Sequence, residues 1–155
     1  MTLLKAHPRF FDVHHEHQHS IPSGATHDYE DMPVLSLKIA VENLDTIVNK
    51  ASQNAHIATE RSAHPHHPLT QDQSAAICFY TMNWKPTDQA ISTQLNTALR
   101  SQDQTQIIPY LFYLKLFTSA LNKLKSCKKT IWRGVNADLS NEYSPGKTIV
   151  WRGFR

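Results

Sequence analysis

The chain lacks the usual marks of disulfide-rich, fibrous and membrane-spanning proteins. Its two cysteines, Cys78 and Cys127, lie far apart. One disulfide and two buried thiols are both compatible with that spacing, and Cys78 sits in the apolar run Ala75-Ala76-Ile77-Cys78-Phe79-Tyr80, a setting that suits a thiol. Four glycines and eight prolines argue against a loop-rich or fibrous protein. No uninterrupted apolar run is long enough to cross a bilayer. The opening Met1-Thr2-Leu3-Leu4-Lys5 lacks the apolar core of a secretory signal. A soluble intracellular protein is therefore expected, although a mature form that had lost its signal would read the same. Charge of one sign is also scarce: the net charge is +3. That favours an anionic ligand without demanding nucleic acid, and the basic and aromatic residues are too scattered for a nucleic-acid surface. No pair of carboxylates stands out that would serve glycoside hydrolysis.

What is present is enough for one folded domain. Apolar residues make up 40% of the 155, above the range of disordered chains. Residues 1–33 show no period. They hold His14-His15-Glu16-His17-Gln18-His19 and read as a flexible arm. From Val34 the pattern changes. Leu37, Val41, Leu44, Val48, Ala51 and Ala55 recur at alternating steps of four and three, which predicts one amphipathic helix of roughly 20 residues. His64-Pro65-His66-His67-Pro68 ends it, because a proline disfavours helix at the residue before it. Thr70-Gln71-Asp72-Gln73 has the form of a capping box. The helix it opens presents Ala76, Ile77, Tyr80 and Trp84 inward and stops at Lys85-Pro86. Thr87 is expected to cap the next helix, with Ile91, Leu95, Ala98 and Leu99 as its inner stripe. A last and most apolar helix is expected from Ile107 to Leu124. Its stripe is Ile107, Leu111, Leu114, Phe117, Leu121 and Leu124, and Pro109 falls in its first turn, where a missing N–H costs little.

After Lys128-Lys129 the composition shifts to strand formers. Thr130 to Val135 alternates from side to side, and Thr148 to Arg152 forms a second such run after the turn signal Ser144-Pro145-Gly146-Lys147. The order is four helices followed by two strands, which predicts an α+β domain. The expected division is an arm at 1–33, a helical subdomain at 34–127 and the first two strands of a β-core at 128–155. Two strands are too few for a stable sheet, so a truncated fold, or a sheet completed by a partner chain, is expected.

Arg133 is the most informative residue of the strand region. It lies between Trp132 and Gly134 and shares a strand face with Ile131 and Val135. A cation on an apolar face is costly unless it meets an anion, and a guanidinium can clamp a phosphate with two parallel bonds. Gly134 would let a ligand approach the backbone. From the local pattern alone the plainer reading is an edge-strand arginine facing a carboxylate or water. Arg152, in the similar Trp151-Arg152-Gly153, reads as solvent-facing.

A family resemblance adds to this. The run Leu69-Thr70-Gln71-Asp72-Gln73-Ser74-Ala75-Ala76-Ile77-Cys78-Phe79-Tyr80-Thr81-Met82-Asn83-Trp84 resembles the LTxDExAAIxxYTxxW helix of NAD-dependent protein-arginine mono-ADP-ribosyltransferases. Leu95-Asn96-Thr97-Ala98-Leu99-Arg100 resembles that family's LNxxLR segment, and Pro109 to Leu116 with Ala120-Leu121 resembles its next helix. Thr130 to Val135 resembles its xVYRGV strand, and Gly146 to Trp151 with Gly153-Phe154 resembles the approach to its GFxS strand. The fragments follow the family's order from about Val34 to Phe154. The resemblance implies a helical subdomain followed by a mixed β-core around an NAD cleft. It also implies transfer of ADP-ribose from NAD to an arginine on a protein or small molecule, with release of nicotinamide. Arg133 matches the arginine that holds a phosphate of NAD, and Gly134 matches the glycine whose backbone meets the nicotinamide amide. The serine signature should begin beside Arg155, and the paired-glutamate signature is not among the 155 residues. No catalytic residue is therefore assigned. Without that carboxylate, glycosidic cleavage loses its main electrostatic support, and this polypeptide alone is expected to be inactive.

Two other classes compete. The clusters His14, His15, His17, His19 and His64, His66, His67 can bind zinc or nickel. Neither has the spacing of a structural zinc site or of HExxH, so solvated polar tracts are the preferred reading and no metal site is expected. Alternatively the apolar helices form a non-catalytic interaction module.

Overall fold

A computed structural model describes residues 29, 31–101, 103–126 and 146 of the chain. Five α-helices follow one another in the described residues. They are α1 (Leu37–Ala40), α2 (Ala51–Arg61), α3 (Gln71–Thr81), α4 (Ile91–Arg100) and α5 (Leu111–Lys123). Tighter 3₁₀ turns at Glu42–Thr46, Thr87–Gln89 and Gln104–Tyr110 join or precede them. None of the helices is long and apolar enough to cross a membrane.

The described residues are all helical and contain no strand, which corrects the α+β expectation. The physical reason lies in the hydrophobic spacing. Each described segment repeats its apolar residues every three or four positions, so helix packs on helix and no sheet is required to cover the faces. The α+β class rested on residues 130–135 and 148–152, which lie outside the described residues, as does nearly all of the expected arm.

Helix α3 is the centre of the packing and touches α1, α2, α4 and α5. Its sequence suits that position. Ala75 and Ala76 are fully buried and small enough to let neighbouring helices approach closely, while Phe79 fills the space beside them. The aromatic rings form a connected cluster. Phe79 meets Trp84 and Tyr113 edge to face at 5.3 and 5.4 Å, and Phe117 stacks with Tyr80 at 4.9 Å and with Tyr113 at 5.8 Å. Edge-to-face and offset-stacked geometries suit the ring quadrupoles.

The stripe predicted from Leu37 to Ala55 is buried at all six positions, but it does not lie on one helix. The chain leaves α1 through the 3₁₀ turn and enters α2 only after Lys50, whose φ of 55° and ψ of 35° put it in the left-handed region. Asp45 replaces the continuous backbone ladder. One carboxylate oxygen accepts from the Ser52 N–H at 2.8 Å, and the other accepts from the Ser52 hydroxyl. The Asp45 side chain thus satisfies one of the donors that every helix start leaves open. Steps of four and three bury the same residues along a broken helix as along a straight one.

The other helix boundaries also moved. Thr87 does not cap α4, which starts four residues later at Ile91 behind Ala90 and has no side-chain cap. The carbonyl of Thr87 instead accepts from the Thr93 hydroxyl at 3.0 Å. Pro109 lies within a 3₁₀ turn, and α5 begins after it. The buried face of α5 is Tyr113, Leu116, Phe117 and Ala120, rotated from the predicted stripe, and Leu124 is exposed. An apolar segment with hydrophobic residues all round carries little information about which side is inward.

Candidate functional site

The capping box at the start of α3 forms as predicted. The Thr70 side chain accepts from the Gln73 N–H at 3.3 Å, and the Gln73 side-chain oxygen accepts from the Thr70 N–H at 3.0 Å. Gln73 does more than cap. It is buried, its oxygen also accepts from Lys123 Nζ at 2.9 Å, and its amide nitrogen donates to Ser119 Oγ at 3.2 Å. One amide therefore ties the start of α3 to the end of α5. Beside it, Asp72 accepts from the Leu37 N–H at 2.8 Å and so caps α1 from another helix. Tyr113, fully buried, donates to the Ala76 carbonyl at 2.9 Å, and Asn96 donates to the Tyr80 hydroxyl at 2.9 Å, joining α4 to α3. Burial, reinforced by the neighbouring Tyr80, pushes the Tyr113 hydroxyl well above its ordinary value. These groups hold helices together and are not arranged for proton transfer.

Two of the concave surfaces formed by the described residues are informative. The first, of about 200 Å³, lies between the entry to α2 and the loop after α3. Asn49, Lys50 and Asn54 line one side, and Asn83, Lys85 and Gln89 line the other. Ile57 and Trp84 supply its apolar wall. Trp84 is held in place, since its indole N–H donates to the Phe79 carbonyl at 3.4 Å while its ring packs on Phe79. Among the described residues, the cleft is lined by two lysines and no carboxylate. The second concavity, of about 230 Å³, is mainly apolar and is lined by Ile47, Thr97, Ala98, Pro109 and Tyr110 among others.

Sequence reasoning did not find the polar cleft. It placed Lys50 inside a helix and treated Lys85 only as the residue before a stop. The available signal was the pairing of polar Asn49-Lys50 within an otherwise amphipathic run with Asn83 and Lys85 around Trp84, but nothing in the spacing brings the two segments together. Of the residues predicted to act, Arg133 and Gly134 lie outside the described residues, as do Cys127, Arg152 and the first histidine cluster. His64, His66 and His67 are exposed in the connection between α2 and α3. Among the described residues no group of three or more histidine, cysteine, aspartate or glutamate side chains is placed to hold a metal ion. Cys78 is a half-buried free thiol on α3.

Comparison with known proteins finds no matching family model, no matching curated protein and no matching solved structure.

Proposed function

We propose that the chain derives from an NAD-dependent protein-arginine mono-ADP-ribosyltransferase, and that its helices are the scaffold of that enzyme rather than its reacting part. One observation supports this reading. The residues that carry the resemblance in the helical region are the ones that lock the helices to each other. Thr70 and Gln73 form the capping box, Asp72 caps α1, and Ala75 and Ala76 are the fully buried small residues of the central helix. Tyr80 accepts the hydrogen bond from Asn96 of the segment that resembles LNxxLR, and Trp84 is buried against Phe79.

In this reading Arg133 clamps a phosphate of NAD and Gly134 meets the nicotinamide amide. The 155 residues contain no paired-glutamate signature, so binding is the informative readout. Isothermal titration of the full chain with NAD should show saturable binding, weakened at least tenfold by Arg133→Ala, without transfer to a small arginine analogue. No NAD binding, or binding indifferent to Arg133→Ala, would overturn the reading. Transfer that depends on Arg133 would overturn the expected inactivity alone.

A further inference from the structure

Several amide side chains among the described residues are bound into the fold. Gln71 donates to the Thr59 carbonyl, Gln94 to the Asp88 carbonyl and Asn96 to the Tyr80 hydroxyl, while Gln73 serves three partners. All four are committed to the fold. The side chains of Asn49, Lys50, Asn54, Asn83, Lys85 and Gln89 converge on one cleft, and none of them makes a hydrogen bond or ion pair to another described residue. Their backbones are nevertheless fixed. The Lys50 carbonyl accepts from the Asn54 N–H at 2.9 Å, the Pro86 carbonyl accepts from the Gln89 N–H at 3.2 Å, and Trp84 is anchored to Phe79. The backbone frame is fixed, while Asn49, Lys50, Asn83 and Lys85 are exposed, so their side chains can turn toward an occupant of the cleft.

We propose that this cleft binds a small hydroxylated anion, a monophosphorylated sugar in chemical class. Carboxamides donate and accept hydrogen bonds, matching hydroxyl groups, which do the same. Two ammonium groups, with no carboxylate among the described lining residues, select for negative charge. Ile57 and Trp84 give the carbon skeleton an apolar wall. Size limits the occupant: about 200 Å³ lies below the ~300–1,000 Å³ typical of drug-sized ligands, so a single phosphorylated pentose fits and a dinucleotide does not. The proposed occupant is therefore not NAD itself.

The test is a titration of the full chain, followed by amide NMR, with ribose 5-phosphate and, in parallel, with inorganic phosphate and with ribose. Saturable shifts confined to residues 49–57 and 83–89, with ribose 5-phosphate at least fivefold tighter than either component, are expected. Lys85→Ala and Asn83→Ala should each weaken binding several-fold, and Lys50→Gly should do so while preserving the fold. Arg133→Ala should leave it unchanged, which keeps this test distinct from the NAD test. The proposal is overturned if no saturable shifts appear at millimolar ligand, if inorganic phosphate binds as tightly, or if the cleft variants bind like the unaltered chain.

Discussion

Tyr113 shows how much a single hydroxyl is asked to do in this core. It is fully buried, it donates to the Ala76 carbonyl, and its ring touches both Phe79 and Phe117. Tyr113→Phe keeps the rings in contact and removes only the hydrogen bond, so a loss of about 1 kcal/mol is expected by urea denaturation. The same group predicts a pH effect. Its folded pKa is raised, so its contribution is fully present below the unfolded value, roughly pH 10, and is lost as pH rises through the folded value. Alkaline unfolding followed by circular dichroism should shift to higher pH in Tyr113→Phe, relative to the stability of each protein at pH 7. Gln73 is the other residue with several simultaneous duties. Gln73→Ala removes half of a capping box and the links to Ser119 and Lys123, and roughly 2 kcal/mol of destabilisation is expected. A loss no larger than that of an exposed glutamine would show that the links are dispensable.

Among the elements, the break before α2 is the most informative. Lys50 occupies a left-handed conformation that costs a residue with a Cβ about 1–2 kcal/mol, against which glycine carries a larger entropy loss on folding. Lys50→Gly should therefore stabilise the fold by about 0.5 kcal/mol, measurable as a small rise in the denaturation midpoint. A fall would mean that the lysine stem packs usefully. The cap that holds this break is acid-sensitive. Hydrogen bonds from the Ser52 hydroxyl and N–H hold the Asp45 carboxyl below its ordinary value. Its contribution is present above the unfolded carboxylate pKa, roughly 3.9, and is lost as pH falls through the lower folded value. Asp45→Asn should flatten the acid limb of the stability profile. What could be read from sequence at this scale was the side each residue faces, and it held for Leu37 through Ala55. Helix continuity could not be read, because a stripe with steps of four and three survives a break. The capping box was legible because its four residues act on their own backbone. The contacts of Gln73 with Ser119 and Lys123 were not, since they join positions about fifty residues apart.

At the scale of the whole molecule, the described helices satisfy one another. A core of twenty buried residues runs from Leu37 to Phe117. A polypeptide of residues 29–126 is accordingly expected to fold by itself, with a helical far-ultraviolet spectrum and one cooperative thermal transition. A broad, probe-dependent transition would show that the helices depend on the rest of the chain. The composition had already pointed to a single domain with a modest core, and the helical periods led to helices. The α+β class failed for the described residues because it was inferred from segments outside them. The polar cleft was invisible for a different reason: its two walls lie some thirty residues apart, and nothing in either marks the other.

Trp84 belongs to both the aromatic core and the cleft wall, with its ring against Phe79 and its indole nitrogen tied to the main chain. In a protein with Trp132 and Trp151 changed to phenylalanine, its emission becomes a built-in optical gauge. A blue maximum should report an intact interior, a change in intensity without a change in colour should report an occupant arriving beside it, and a red shift should report the loss of both together.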